Sequence, residues 1–191
     1  MTVFDTATEL CARGQTVLLT ATRVDDLETP VSAYLKLASH NANTFLLESV
    51  EGGAFRGRYS AIGLDPDLIW RCRGDQAEIA HAPAPGVAPG AFEPCAEKPL
   101  HALRKLIAES RLTLPSGLPP ISAGLFGYLG YDMIRQVERL PDQAAPEPLG
   151  LPEGQLLRPR VMVVFDALRQ EILAAAPIRP APGADPELLV D

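Results

Sequence analysis

The run Phe45-Leu46-Leu47-Glu48-Ser49-Val50-Glu51-Gly52-Gly53, followed by Arg58-Tyr59-Ser60-Ala61-Ile62-Gly63-Leu64, reads as two strands, Thr44 to Val50 and Arg58 to Leu64, joined by a glycine-rich connection. Short connections of this kind join antiparallel neighbours, since parallel neighbours need a long crossover. Asp67 to Arg73, with Leu68, Ile69 and Trp70, continues as a third strand and makes a meander. The first strand ends in a carboxylate and a hydroxyl, Glu48 and Ser49, which are acceptors for an ammonium group, while Leu46 and Leu47 supply apolar wall. Strict alternation puts Leu47 and Ser49 on one face and Leu46 and Glu48 on the other, so the two polar groups converge only where the strand twists or bulges.

Outward from this hairpin, Phe4 to Ala12 has apolar residues at helical spacing and stops at Gly14, and Thr16 to Thr22 is β-branched and strand-like. Pro30 suits a helix start, and Val31, Tyr34, Leu35 and Ala38 mark one face up to about His40. Ala82 to Pro94 is rich in proline, alanine and glycine and reads as a surface excursion. Pro99 opens a helix whose apolar stripe is Leu100, Leu103, Leu106, Ile107 and Leu112. Ile121 to Gly130 reads as a strand with glycines at 124, 127 and 130, and Asp132 caps a short helix through Leu140. Val161 to Asp166 is the strongest buried-strand run, and Glu171 to Ala176 returns as its hairpin partner. The division is residues 1–176 as one folded region and 177–191 as a proline-rich linker.

The 191 residues are enough for a sizeable core; 47% hydrophobic and 21% charged is a globular balance, with 19 prolines placed mostly outside regular elements. A net charge of -7 argues against a nucleic-acid partner, which needs a concentrated basic face. Arg56, Arg58, Arg71 and Arg73 come nearest, with Asp65, Asp67 and Asp75 among them. Cys11, Cys72 and Cys95 lack disulfide or zinc spacing and read as reduced thiols. No stretch approaches transmembrane length and the first residues do not form a signal peptide, so no membrane contact and a cytoplasmic location are expected.

Catalytic candidates are few. His40, His81 and His101 stand without a partner in sequence, Ser32, Ser49, Ser60 and Ser122 lack the nucleophile-elbow pattern, and no cysteine sits in a nucleophile motif. The acids are scattered, so no metal site is expected in this chain; Glu48 and Glu51 are the nearest pair, separated by a turn. Gly124-Leu125-Phe126-Gly127-Tyr128-Leu129-Gly130 spaces its glycines wrongly for a dinucleotide or phosphate loop and is better explained by close strand packing.

Taken together, Thr29-Pro30-Val31-Ser32-Ala33-Tyr34, Leu47-Glu48-Ser49, Arg56 to Gly63 and the segment from Gly124 through Tyr131-Asp132 closely resemble the N-terminal region of the anthranilate synthase component I family, over about Asp25 to Asp166. The resemblance implies an α+β fold with antiparallel strands in two packed sheets flanked by helices, and a feedback site for L-tryptophan held between them. Carried over by position, Leu47, Glu48, Ser49, Pro30, Val31 and Ser32 border that effector, with Ser49 and backbone near Glu48 at its amino-acid head, Leu47 and Pro30 against the indole, and Arg58 as a further carboxylate partner. The family converts chorismate to anthranilate and pyruvate with ammonia from a glutamine amidotransferase subunit. Its magnesium and chorismate groups lie in a C-terminal domain outside these residues, so the chain alone is expected to be inactive. The matching region of aminodeoxychorismate synthase component I, and a docking domain without its own ligand, are the alternative readings.

Overall fold

The computed structural model describes residues 3–24, 27–38, 42–49, 57–141 and 149–180. In chain order these form α1 (Val3–Ala12), β1 (Val17–Val24), α2 (Pro30–Ala38), β2 (Phe45–Leu47), β3 (Tyr59–Arg73), β4 (Gln76–His81), β5 (Glu93–Pro94), α3 (Pro99–Glu109), β6 (Phe126–Leu129), β7 (Gly154–Asp166) and β8 (Glu171–Ile178). Segments of 3-10 helix, one turn at Pro120–Ser122 and two turns at Tyr131–Gln136, flank β6.

The β-branched and aromatic runs of β3 and β7 pair with each other along almost their whole length, in two stretches: Tyr59–Leu64 with Val161–Asp166, and Leu68–Cys72 with Gly154–Arg158. The first stretch is widened by β2 on one side and by β8, then β1, on the other; the second by β4 and β5 on one side and β6 on the other. Between them lies a waist only two strands wide. There Pro66 faces Pro159, which is possible because two residues without N–H groups can oppose each other where no hydrogen bond is exchanged. Between Pro66 and Leu68 the register shifts, and β3 advances two residues while β7 advances one, a bulge preceded by Asp65 at φ 48°.

The extra residue reverses the alternation of β3. Before the bulge Ala61 faces a cluster with Met162, Val164, Leu173 and Ala175, covered by Leu118, Ile121 and Phe126. Beyond it the even-numbered Leu68, Trp70 and Cys72 meet Ala102, Leu103 and Leu106 of α3. On β7, which has no insertion, Leu156, Met162 and Val164 hold one parity throughout. The opposite face of the first half buries Ile62, Val163 and Phe165 under Ala33 and Tyr34 of α2. Trp70 is fully buried, and truncating a side chain of that size in a packed core typically costs about 3 to 5 kcal/mol.

Several expectations are corrected. The described strands form one eight-stranded antiparallel sheet, rather than two packed sheets, because β3 and β7 run unbroken through both wide ends. For the same reason Asp67–Arg73 is the second half of β3 and not a separate strand. β4 had no expectation of its own; a two-residue turn at Gly74-Asp75 returns it onto β3. Ile121–Gly130 is a strand only over Phe126–Leu129, and the segment after Asp132 is a 3-10 turn ending at Gln136. β8 runs on to Ile178, past the 176 boundary, while Glu51 to Gly53, Arg56 and His40 fall outside the described residues.

Close packing of the glycine segment holds. A Cβ at Gly127 would lie 2.0 Å from the Gln155 carbonyl oxygen, so β6 meets β7 backbone against backbone. Phe45 likewise covers its register partner Gly63, where a Cβ would sit 2.2 Å from the ring, and its ring lies 5.1 Å from that of Phe126.

Candidate functional site

The start of α2 and the end of β2 carry the candidate residues. Thr29 and Ser32 form a reciprocal cap: the Thr29 N–H donates to Ser32 Oγ at 2.9 Å and the Ser32 N–H to Thr29 Oγ1 at 3.1 Å. Pro30 fits at the first helical position, where no N–H is needed. The Ser32 hydroxyl in turn donates to Glu28 Oε2 at 2.7 Å, and Lys36 pairs with Oε1 of the same carboxylate. Lys36 first, then Ser32, lowers the Glu28 pKa from its ordinary value. Ser32 is thus committed to holding the helix start, while Val31 on the next position is exposed.

β2 is positioned through Tyr34, whose hydroxyl lies 3.1 Å from Thr44 Oγ1 and so ties α2 to the residue before the strand. Ladder pairing stops at Leu47 opposite Ala61. Beyond it strict alternation no longer governs the side chains, which removes the obstacle to Glu48 and Ser49 converging. The Ser49 N–H donates to the hydroxyl of Ser60 at 3.1 Å, so a buried side chain of β3 takes over where the ladder ends. Glu48 is exposed, Ser49 half-buried, and Leu47 is 49% exposed despite its apolar side chain.

Arg58, two residues before Ser60, forks onto Asp166 at the end of β7, with Nε to Oδ1 at 2.9 Å and Nη2 to Oδ2 at 2.7 Å. Asp166 also accepts the N–H groups of Leu168 and Arg169 and so caps the β7–β8 turn. The hydrogen bond from Arg58 is the chief cause holding the Asp166 carboxyl below its ordinary value; burial opposes it. The structure therefore brings Leu47, Glu48, Ser49 and Arg58 to one end of the sheet around Ser60, and places Pro30, Val31 and Ser32 on the helix covering the neighbouring face. Ser60, Tyr34 and Asp166 were not among the sequence candidates; Pro30 marked the helix start without the Ser32 cap being read, and the long-range pairs of Ser60 and Asp166 had no local signal.

Among the described residues no group of three or more His, Cys, Asp or Glu side chains is placed to hold a metal ion. No helix there is long and apolar enough to cross a membrane.

No protein-family model matches the chain. It is 50% identical over 177 residues to anthranilate synthase component 1 of Cereibacter sphaeroides, covering 93% of this chain and 35% of that protein. The chain is homologous to the N-terminal part of anthranilate synthase component 1. The anthranilate synthase component 1 proteins of Synechocystis and Pseudomonas putida share 37% over 174 residues and 40% over 157, covering 91% and 82% of this chain and 33% and 31% of theirs. The chain thus spans about a third of the length of the curated relatives it matches. A crystal structure of anthranilate synthase component I from Streptococcus pneumoniae superposes with a TM-score of 0.50 at 19% identity, over 87% of this chain and 33% of that one, a likeness of fold.

Proposed function

We propose that this chain is the regulatory N-terminal part of an anthranilate synthase component I, carrying one portion of a tryptophan feedback site and of the docking surface for a glutamine amidotransferase subunit. The reading rests above all on the 50% identity that runs through 93% of the chain. The whole protein would convert chorismate to anthranilate and pyruvate in tryptophan biosynthesis, in the cytoplasm, with magnesium and chorismate held by a C-terminal domain.

In this reading Ser49 and the backbone beside Glu48 receive the amino-acid head of tryptophan, Leu47 with Pro30 lies along the indole, and Val31 borders the site. Two features support it: exposed apolar side chains at Leu47 and Val31 beside polar groups, and a backbone that Ser60 holds through the Ser49 N–H. Ser32 acts by holding the helix start. Arg58, paired to Asp166, keeps an Nη1 group that no described hydrogen bond to Asp166 uses and could meet the effector carboxylate. Tryptophan then favours an arrangement of the N- and C-terminal parts that is less active, with a coupling free energy on the order of 1 to 3 kcal/mol.

The test is calorimetric titration of L-tryptophan into the chain and into the longer protein containing the C-terminal part, with L-phenylalanine as control. Saturable, tryptophan-selective heat that Ser49→Ala weakens is expected. No heat from either protein, or an unchanged response in Ser49→Ala, overturns the assignment.

A further inference from the structure

The two-strand waist gathers charge. Arg158 and Arg160 of β7 and Arg179 just beyond β8 meet Asp65 and Asp67 of the β3 bulge, so three guanidinium groups share two carboxylates. Asp67 is committed to Arg158, which forks onto it at 2.7 and 3.0 Å and gives its remaining Nη1 to Ser110 Oγ at 3.1 Å. Arg179 Nη1 approaches the same Asp67 oxygen only to 3.9 Å. Asp65 accepts the Gly86 N–H at 3.0 Å while Arg160 Nη1 stays 3.6 Å away; Arg160 Nη2 donates to the Ala82 carbonyl. Nη1 of Arg160 and both Nη atoms of Arg179 are consequently buried with no hydrogen-bond partner among the described residues. Such donors are rare in folded proteins and call for an acceptor.

We propose that Arg179, with Arg158 and Arg160, forms a binding site for one small oxyanion, a phosphate or a free carboxylate. An oxyanion supplies both what the cluster lacks, negative charge and several acceptor lone pairs in the geometry a guanidinium fork matches. Because the free donors are shut off from solvent, the occupant is a few atoms in size and not a polypeptide side chain from outside. Burial and the neighbouring Arg158 lower the Arg179 pKa to about 10, the behaviour of a cation short of counter-charge. A groove of about 450 Å³, lined by Leu103, Ile107, Leu114, Leu125 and Leu156, reaches Ser110, whose hydroxyl accepts from Arg158 Nη1.

The experiment is thermal melting and calorimetric titration of the chain with sodium phosphate or sodium acetate, against sodium chloride at the same ionic strength. A saturable rise in Tm with phosphate, with acetate or with both is expected, and which salt acts identifies the oxyanion. Arg179→Met should lower the affinity at least tenfold while melting no earlier than the parent chain in chloride. Arg160→Gln should weaken binding in the same way and serves if Arg179→Met does not fold; Arg111→Ala, an exposed arginine on the groove, should leave binding intact. No anion-specific rise in the parent chain, or an equal rise in Arg179→Met and Arg160→Gln, overturns the proposal.

Discussion

Replacing Asp67 by alanine removes the carboxylate that holds the waist together on its charged side. Two hydrogen bonds to Arg158 are lost, and the Arg158 side chain, only 14% exposed, keeps a single bond to Ser110. Breaking a buried ion pair from one side costs about 3 to 5 kcal/mol, because the abandoned charge remains desolvated. Slight exposure of both partners and the retained Ser110 contact place this case at the low end, about 3 kcal/mol. For a domain of this size that corresponds to a fall of about 6 to 12 °C in Tm. Urea unfolding in chloride buffer, followed by the emission of Trp70, reads the loss directly, since the chain has one tryptophan and it is fully buried. The double variant Asp67→Ala/Arg158→Met should recover at least half of the loss, because the uncompensated charge goes with the arginine. A single-variant loss under about 1 kcal/mol, or a double variant no better than the single, would refute the view that desolvated charge at the waist carries this energy.

Two further outcomes follow from geometry described above. Gly127→Ala places a methyl group 2.0 Å from the Gln155 carbonyl oxygen, so β6 must separate from β7; a loss of about 2 kcal/mol or more is expected, with faster amide exchange at Gln155 to Leu157, and unchanged stability would contradict the close approach. Asp166 has a folded-state pKa below its ordinary 3.8, so its contribution to stability is present above that value and is lost as pH falls from about 4 toward the lowered one. Stability of Asp166→Asn should therefore be lower near neutrality and depend less on pH below 4 than that of the parent chain; parallel pH profiles would count against the Arg58 pair.

The elements that local chemistry specifies were legible. The second half of β7 and most of β8 announce themselves through an unbroken apolar run and its return, α3 through Pro99 and its leucine stripe, and α2 through Pro30 and the apolar face after it, whereas residues 154–160 of β7 were not read as strand. What failed depended on pairs distant in the chain. Asp65-Pro66-Asp67 looks like a strand break because proline cannot donate to a ladder, yet Pro159, more than 90 residues away, makes the position tolerable by needing nothing from it. One strand was therefore read as two. At the candidate site, Leu47, Glu48 and Ser49 stood out because an apolar strand ends in polar groups, whereas Ser60 looked like any serine in a strand. Its importance comes from accepting the N–H of Ser49, eleven residues earlier and past the last ladder pair at Leu47.

The narrowing of the sheet at Pro66 and Pro159 has a mechanical meaning. Where a sheet is wide, several neighbouring ladders resist torsion together; where two strands meet through a pair of prolines, main-chain bonding contributes little and the twist between the wide ends is left to side chains. Here those side chains are five charged groups, Asp65, Asp67, Arg158, Arg160 and Arg179, and the Phe45–Phe126 ring pair that joins β2 to β6. The relative orientation of the end that carries Ser49 and the end that carries α3 therefore rests on these contacts together with the β3–β7 ladder, and a change of charge at the centre acts at the one place where both halves meet.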